Sequence, residues 1–148
     1  ENYVCGHSIA IVRTPDLKSM CFLSGLVNSF VLDYFIRQKV SANITMFNFR
    51  ELPLPRLKDG PVFDSIVRKV AQLTCTTKEY DNLKKETGVE VGITDETDRQ
   101  TVRAQMDAIV AKQVYSISRD ELKHILWQFP LVDDKTKELV LQEYEKLK

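Results

Sequence analysis

The sequence predicts an α+β fold that is predominantly helical, with a little β-strand near the N-terminus and around residues 44–54, followed by a bundle-like set of helices. Three observations predict it. Apolar residues recur at three- and four-residue spacing through most of the chain, which is the period of a helix with one buried face. Two short stretches, residues 8–13 and 45–50, alternate instead, which is the period of a half-buried strand. Capping residues and prolines stand where the periodic blocks begin and end. With 148 residues, 43% of them hydrophobic, the chain can bury one substantial core, so residues 1–148 read as a single domain.

Taken in order, Ser8 to Arg13 places Ile9 and Ile11 against Ala10 and Val12 and reads as the first strand. Pro15-Asp16 then starts a helix from Leu17 to about Asn28, with Gly25 arguing against an unbroken one. Asn28 or Ser29 caps a second helix, whose apolar face carries Phe30, Val31, Tyr34 and Phe35 while Asp33, Arg37 and Lys39 look outward. That helix stops near Val40. Thr45, Phe47 and Phe49 alternate with Met46, Asn48 and Arg50 as the second strand, closed by Leu52-Pro53-Leu54-Pro55. Pro61 suits a first helical turn, and Val62, Ile66, Val67, Val70 and Leu73 share one face behind it. Thr77 opens a short helix through Glu86. Gly88 to Gly92 reads as the most exposed connector and a protease-sensitive loop.

Three helices fill the last third. Val102, Met106, Ile109 and Val110 line the first, from about Asp95 to Tyr115. Ser118 with Glu121 forms a capping box for the second, because the serine oxygen can accept from the Glu121 amide while the glutamate reaches back. Phe129-Pro130 ends that helix. Asp133 or Asp134 caps the last, with Leu139, Val140, Glu143, Tyr144 and Leu147 in a stripe. Trp127 reads as a residue of the core or of a domain seam rather than one that stacks on bases.

Formal net charge is zero, from 21 basic and 21 acidic residues, which excludes a uniformly polycationic nucleic-acid binder. The distribution is uneven. Residues 1–75 carry nine Lys or Arg against six Asp or Glu (+3), residues 76–148 carry twelve against fifteen (−3), and residues 37–69 carry seven against three. A local surplus of that size can neutralise a few phosphates, although a solvated face explains it equally in kind. Cys5, Cys21 and Cys75 are odd in number and widely spaced, so a reduced, cytoplasmic setting is expected, with Cys21 as a small core side chain. No stretch approaches the roughly 18 apolar residues of a membrane span, and no membrane partner is expected. The chain begins at Glu1 rather than methionine and reads as a piece of a larger protein.

Catalytic constellations are missing from the sequence. An adenine methyltransferase needs an Asn- or Asp-Pro-Pro-aromatic tetrad to receive the flipped base, and no two prolines here are adjacent. The five glycines are scattered rather than gathered into a cofactor-binding turn. Pro15-Asp16 and Glu121-Leu122-Lys123 carry the letters of a metal-dependent nuclease but lie over a hundred residues apart. His7 and His124 lack the company a metal site requires.

Two blocks carry a family resemblance. Asn28-Ser29, Arg37-Gln38-Lys39-Val40, Phe47-Asn48-Phe49 and Leu52-Pro53-Leu54-Pro55 follow one another as they do at the end of a target-recognition region. Arg103 to Tyr115, RAQMDAIVAKQVY, and Ser118 to Pro130, SRDELKHILWQFP, are similar to closing helices that read "R-x-x-L-D-A-x-V-A-x-x-Y" and "Y-I-L-x-x-F-P". Together they resemble the C-terminal part of bacterial Eco57I-like restriction-modification DNA adenine methyltransferases. Met106 stands where leucine is usual and Ser116-Ile117 where glycine-leucine is usual. The resemblance covers the chain from about Ser8 onward, without the part that transfers the methyl group.

The resemblance implies that residues 1–57 are the end of a target-recognition-like region and residues 58–148 a helical scaffold. It implies a type II restriction-modification methylase subunit as parent, which uses AdoMet to methylate adenine N6, needs Mg if it also carries a nuclease domain, and acts on double-stranded DNA. No cofactor is expected in this chain itself, which is expected to be non-catalytic. Arg37, Lys39, Arg50 and Arg56 are the candidate phosphate contacts. Ser41, Asn43, Thr45 and Asn48 are the polar residues placed to approach the backbone or base edges. All eight equally suit a solvated loop returning the chain to the scaffold. The other function kept open is a helical module that docks on the parent's methyltransferase domain, a partner subunit or a second copy of itself without touching DNA.

Overall fold

The structure, a computed structural model, describes residues 12–40 and 44–147. Helix α1, Leu17–Val27, opens at Asp16, whose carboxylate accepts from the Ser19 amide at 2.6 Å and lies below its usual pKa because of that bond. It runs unbroken through Gly25, contrary to the expectation. A Cβ on Gly25 would lie 2.6 Å from Cγ2 of Ile66, so glycine is there to let two helices touch. Helix α2, Phe30–Arg37, is capped by the fully buried Ser29, whose hydroxyl accepts from the Leu32 amide and donates to the Leu26 carbonyl.

Helix α4, Pro61–Thr74, starts on its proline, and α5, Asp81–Thr87, follows a 3₁₀ turn over Lys78–Tyr80 and ends at a left-handed Gly88. Between α2 and α4 lies the short α3, Met46–Arg50. Helix α6, Glu96–Ile109, is capped by Asp95 and widens into a π turn over Val110–Val114. Helix α7, Arg119–Trp127, has the Ser118/Glu121 capping box, and α8, Asp134–Lys146, begins at Asp133.

α4 packs on α1 and α5 and also on α6, while α6 packs on α8; α7 joins α8 to α2. Leu26, Ile66, Val110, Leu122, Leu126 and Val140 are fully buried where these faces meet. Each such side chain contributes roughly 2 kcal/mol through its removal from water. One apolar cluster runs from Cys21 through Leu52 to Leu141, with Cys21 and Cys75 both buried and unpaired as thiols. Burial pushes the Cys21 thiol up to about 11, which makes it an inert core side chain.

The α+β class is corrected to an all-helical one: no strand occurs among the described residues. Residues 8–11 of the first expected strand lie outside the described residues, and Val12 and Arg13 are not in a strand. The second expected strand is α3. Thr45 caps it in a capping box with Asn48, which satisfies two amides within a five-residue helix. The alternation was misleading because Phe47 and Phe49 do not share an environment: Phe49 packs against the core while Phe47 is 71% exposed.

Two further expectations change. Trp127 is 42% exposed, with the ammonium groups of Lys123 and Lys137 over its ring at 5.7 and 5.5 Å, so it is not a core residue. The Gly88–Gly92 connector is tied down: the Gly92 amide donates to the Cys75 carbonyl at 2.9 Å and the Ile93 amide to that of Gln72 at 2.8 Å. Arg99 locks it further, its guanidinium donating to the carbonyls of Leu73 and Ile93 at 2.9 and 2.7 Å and so capping the end of α4. Val91 alone of its apolar residues stands in solvent.

No single helix among the described residues is long and apolar enough to cross a membrane. Helices α1 and α2 together reach that length and apolarity, but they are bent by 63° and place Cys21, Phe22, Leu26, Val31 and Leu32 in the core.

Candidate nucleic-acid interface

Residues 44–58 form an arm whose inner side is fastened to the bundle and whose outer side carries charge and apolar surface. Leu52 is buried, Phe49 and Leu54 pack against the core, and the Tyr115 hydroxyl donates to the Pro53 carbonyl at 3.1 Å. Burial raises the Tyr115 phenol to about 12, so that hydrogen bond persists across the ordinary pH range. The π turn before Tyr115 turns its side chain toward the arm: the Tyr115 amide donates to the Val110 carbonyl at 3.1 Å rather than one residue nearer. Ser116 follows with φ of 53°, the left-handed region, at the position where glycine is usual in the resembled family.

The eight sequence-predicted residues separate into four pairs. Ser41 and Asn43 lie outside the described residues. Thr45 and Asn48 are committed to the capping box: the Thr45 hydroxyl donates to Asn48 Oδ1 at 2.6 Å and accepts from the Asn48 amide at 3.3 Å. Arg37 and Lys39 are engaged in ion pairs. Arg37 grips Asp33 with two bonds of 2.9 and 3.1 Å, which raises its pKa, and lies 5.0 Å from the centre of the Phe129 ring. Lys39 meets Glu51 at 2.9 Å, tying the end of α2 to the end of α3, and sits 5.2 Å from the centre of the Phe35 ring.

Arg50 and Arg56 differ from those four. Both are exposed, and neither forms an ion pair among the described residues. Lys58 shares that condition, and it was not among the predicted contacts. Exposed surface ion pairs contribute only about 0–1 kcal/mol, so Arg37 and Lys39 are exchangeable toward a phosphate. Arg50 and Arg56 have no such partner to leave. The sequence also missed Phe47, because reading the segment as a strand put it on the same face as Phe49.

A cleft of about 480 Å³ lies beside the start of α2, lined by Asn28, Phe30, Thr74, Arg103, Asp107 and Thr136. Asp107 is buried in its wall, and its Oδ1 accepts from the Phe30 amide at 2.9 Å. It therefore ties α2 to α6 by capping the helix from 77 residues away. Burial pushes its carboxyl up to about 7, only partly offset by that amide. Arg103 turns away from Asp107 to Glu96 at 2.8 Å. No group of three His, Cys, Asp or Glu side chains among the described residues is arranged to hold a metal ion.

No family model, no curated protein and no solved structure matches this chain.

Proposed function

We propose that this chain is the non-catalytic DNA-recognition and scaffold part of a type II restriction-modification enzyme. Its parent protein is then an AdoMet-dependent N6-adenine DNA methyltransferase of the cytoplasm. The resemblance in residues 28–57 and 103–130 supports this reading, and so does the left-handed backbone at Ser116, where the family usually has glycine. The observation that carries the DNA contact is the pair Arg50 and Arg56, exposed and without acidic partners among the described residues, on an arm fastened to the bundle by Leu52, Leu54 and the Tyr115–Pro53 bond. A guanidinium held on a rigid platform binds a phosphate without first losing another partner. Phosphate contacts of this kind set the register of a protein on duplex DNA, and base edges are then read by neighbouring groups. AdoMet, and Mg where the parent carries a nuclease, belong in this proposal to the rest of the parent protein.

A salt series tests it. Binding of the 148-residue chain to a mixed-sequence duplex, followed by fluorescence anisotropy, is expected to weaken steeply with salt. Changing Arg50 and Arg56 to alanine should reduce the slope of log K against log salt by about 2. An unchanged slope removes these residues from the interface.

One observation favours the second reading, a module that docks on the methyltransferase domain, a partner subunit or a second copy without touching DNA. Leu131, in the turn joining α7 to α8, is 100% exposed, and Trp127 at the end of α7 is partly exposed as well. Under that reading, the chain shows no DNA binding even at low salt, and Leu131→Asp abolishes self-association or docking.

A further inference from the structure

The outer side of the arm is apolar as well as cationic. Phe47 is the most exposed aromatic residue of those described, and Ile44, Met46 and Leu57 of the same arm are exposed as well. Placing four large apolar side chains in water within fourteen residues is costly unless a partner covers them. Phe47 and Arg50 stand three residues apart on α3, so helical geometry sets them on one side. The capping box at Thr45 and Asn48 holds the first turn, and Phe49 and Leu52 hold the last against the bundle. The result is a short, anchored helix that carries an exposed aromatic side chain on the same side as Arg50.

The charge of the segment selects the occupant. Between residues 44 and 58 the cations are Arg50, Arg56 and Lys58, and the one acid, Glu51, is neutralised by Lys39. An apolar surface on a segment whose three cations form no ion pair among the described residues suits a polyanion with an apolar interior, and a stacked duplex has that chemistry. Proteins that bend DNA insert Phe, Leu, Ile or Met between base pairs while basic residues hold the flanking phosphates. We propose that Phe47 is a wedge that enters the base stack of duplex DNA, with Arg50 and Arg56 holding phosphates on either side. The inference rests on the DNA-binding reading above and adds a mode of contact to it. The wedge opens one base step at a cost in stacking, which the phosphate contacts offset.

The test uses the 148-residue chain and a mixed-sequence duplex carrying 2-aminopurine next to a pyrimidine–purine step, the most easily opened kind. Anisotropy reads binding, and 2-aminopurine emission reads unstacking. The wild type is expected to bind and to brighten the probe about twofold or more as the step unstacks. Phe47→Ala is expected to keep the salt slope, lose no more than about tenfold in affinity, and abolish the brightening. Phe47→Leu, which retains an apolar wedge, is expected to restore part of it. Arg50→Ala with Arg56→Ala is expected to weaken binding about tenfold or more at low salt. Undiminished brightening in Phe47→Ala overturns the wedge and leaves the DNA-binding reading standing. Binding unaffected by the arginine changes, or absent in the wild type, overturns both. Wild-type self-association in sedimentation that Phe47→Ala abolishes shows that a second protein copy covers this surface, and also overturns the wedge.

Discussion

The α4–α6–α8 centre and the 44–58 arm are built on opposite terms. In the centre, Ile66, Val110, Leu126 and Val140 touch only protein, and Gly25 gives up its side chain so that α1 can approach α4. In the arm, Leu52 alone is buried, and the segment is held by a few fixings that can be named: the Thr45/Asn48 box, the Lys39–Glu51 pair and the Tyr115–Pro53 bond. A chain spends its apolar residues on stability in one place and leaves them uncovered in the other. That difference is the physical basis of the proposal that the arm recognises DNA and the bundle is its scaffold.

The widest separation between the two regions comes from shortening one apolar residue in each. Leu126→Ala, at a site with no exposure, is expected to cost about 3–4 kcal/mol through lost burial and a residual cavity. Phe47→Ala is expected to stay within about 0.5 kcal/mol, as for other surface positions. Urea unfolding midpoints of the two variants measure this, and comparable losses would remove the distinction.

Asp107 sharpens the comparison from the side of the bundle. Its carboxyl titrates about 7 when folded against a usual value of 3.8. A raised acid pKa means that the folded state holds the proton more tightly, so folding is favoured at low pH and loses stability as pH rises from about 4 to 7. Asp107→Asn keeps an oxygen to accept from the Phe30 amide and has no charge to bury. Between pH 4.5 and 8 the wild type is therefore expected to lose about 3 kcal/mol relative to Asp107→Asn. Parallel urea midpoints at the two pH values would contradict a buried, titrating Asp107.

The smallest of the three effects concerns the link between the regions. Ser116 holds a left-handed backbone just after the π turn that aims Tyr115 at the arm. Ser116→Gly relieves a conformation that costs a non-glycine residue roughly 1 kcal/mol. A stabilisation of about 0.5–1 kcal/mol is expected, reduced by the extra freedom of glycine in the unfolded chain. Thermal unfolding shows it, and a loss of stability would mean that the Ser116 side chain holds something glycine cannot.

What the sequence made legible was local. The caps at Asp16, Ser29, Ser118 and Asp133 act within three residues, and the buried faces of α4, α6 and α8 repeat often enough to show their period. The strand expected at 45–50 failed because six residues fit two periods, and the Thr45/Asn48 box decides for the helix. Contacts across long separations left no local sign. Arg99 reaches the Leu73 carbonyl of α4 from 26 residues away, and Asp107 caps α2 from 77. For the same reason, the basic surplus in residues 37–69 was visible, but which of its members were already paired was not.

Hydrogen–deuterium exchange of the 148-residue chain with and without a mixed-sequence duplex tests the division most directly, because it reads both regions at once. Added DNA is expected to slow exchange in peptides covering residues 44–58 and to leave those from α4, α6 and α8 unchanged. Protection confined to the bundle helices, or none at all under conditions where binding is established, would contradict it.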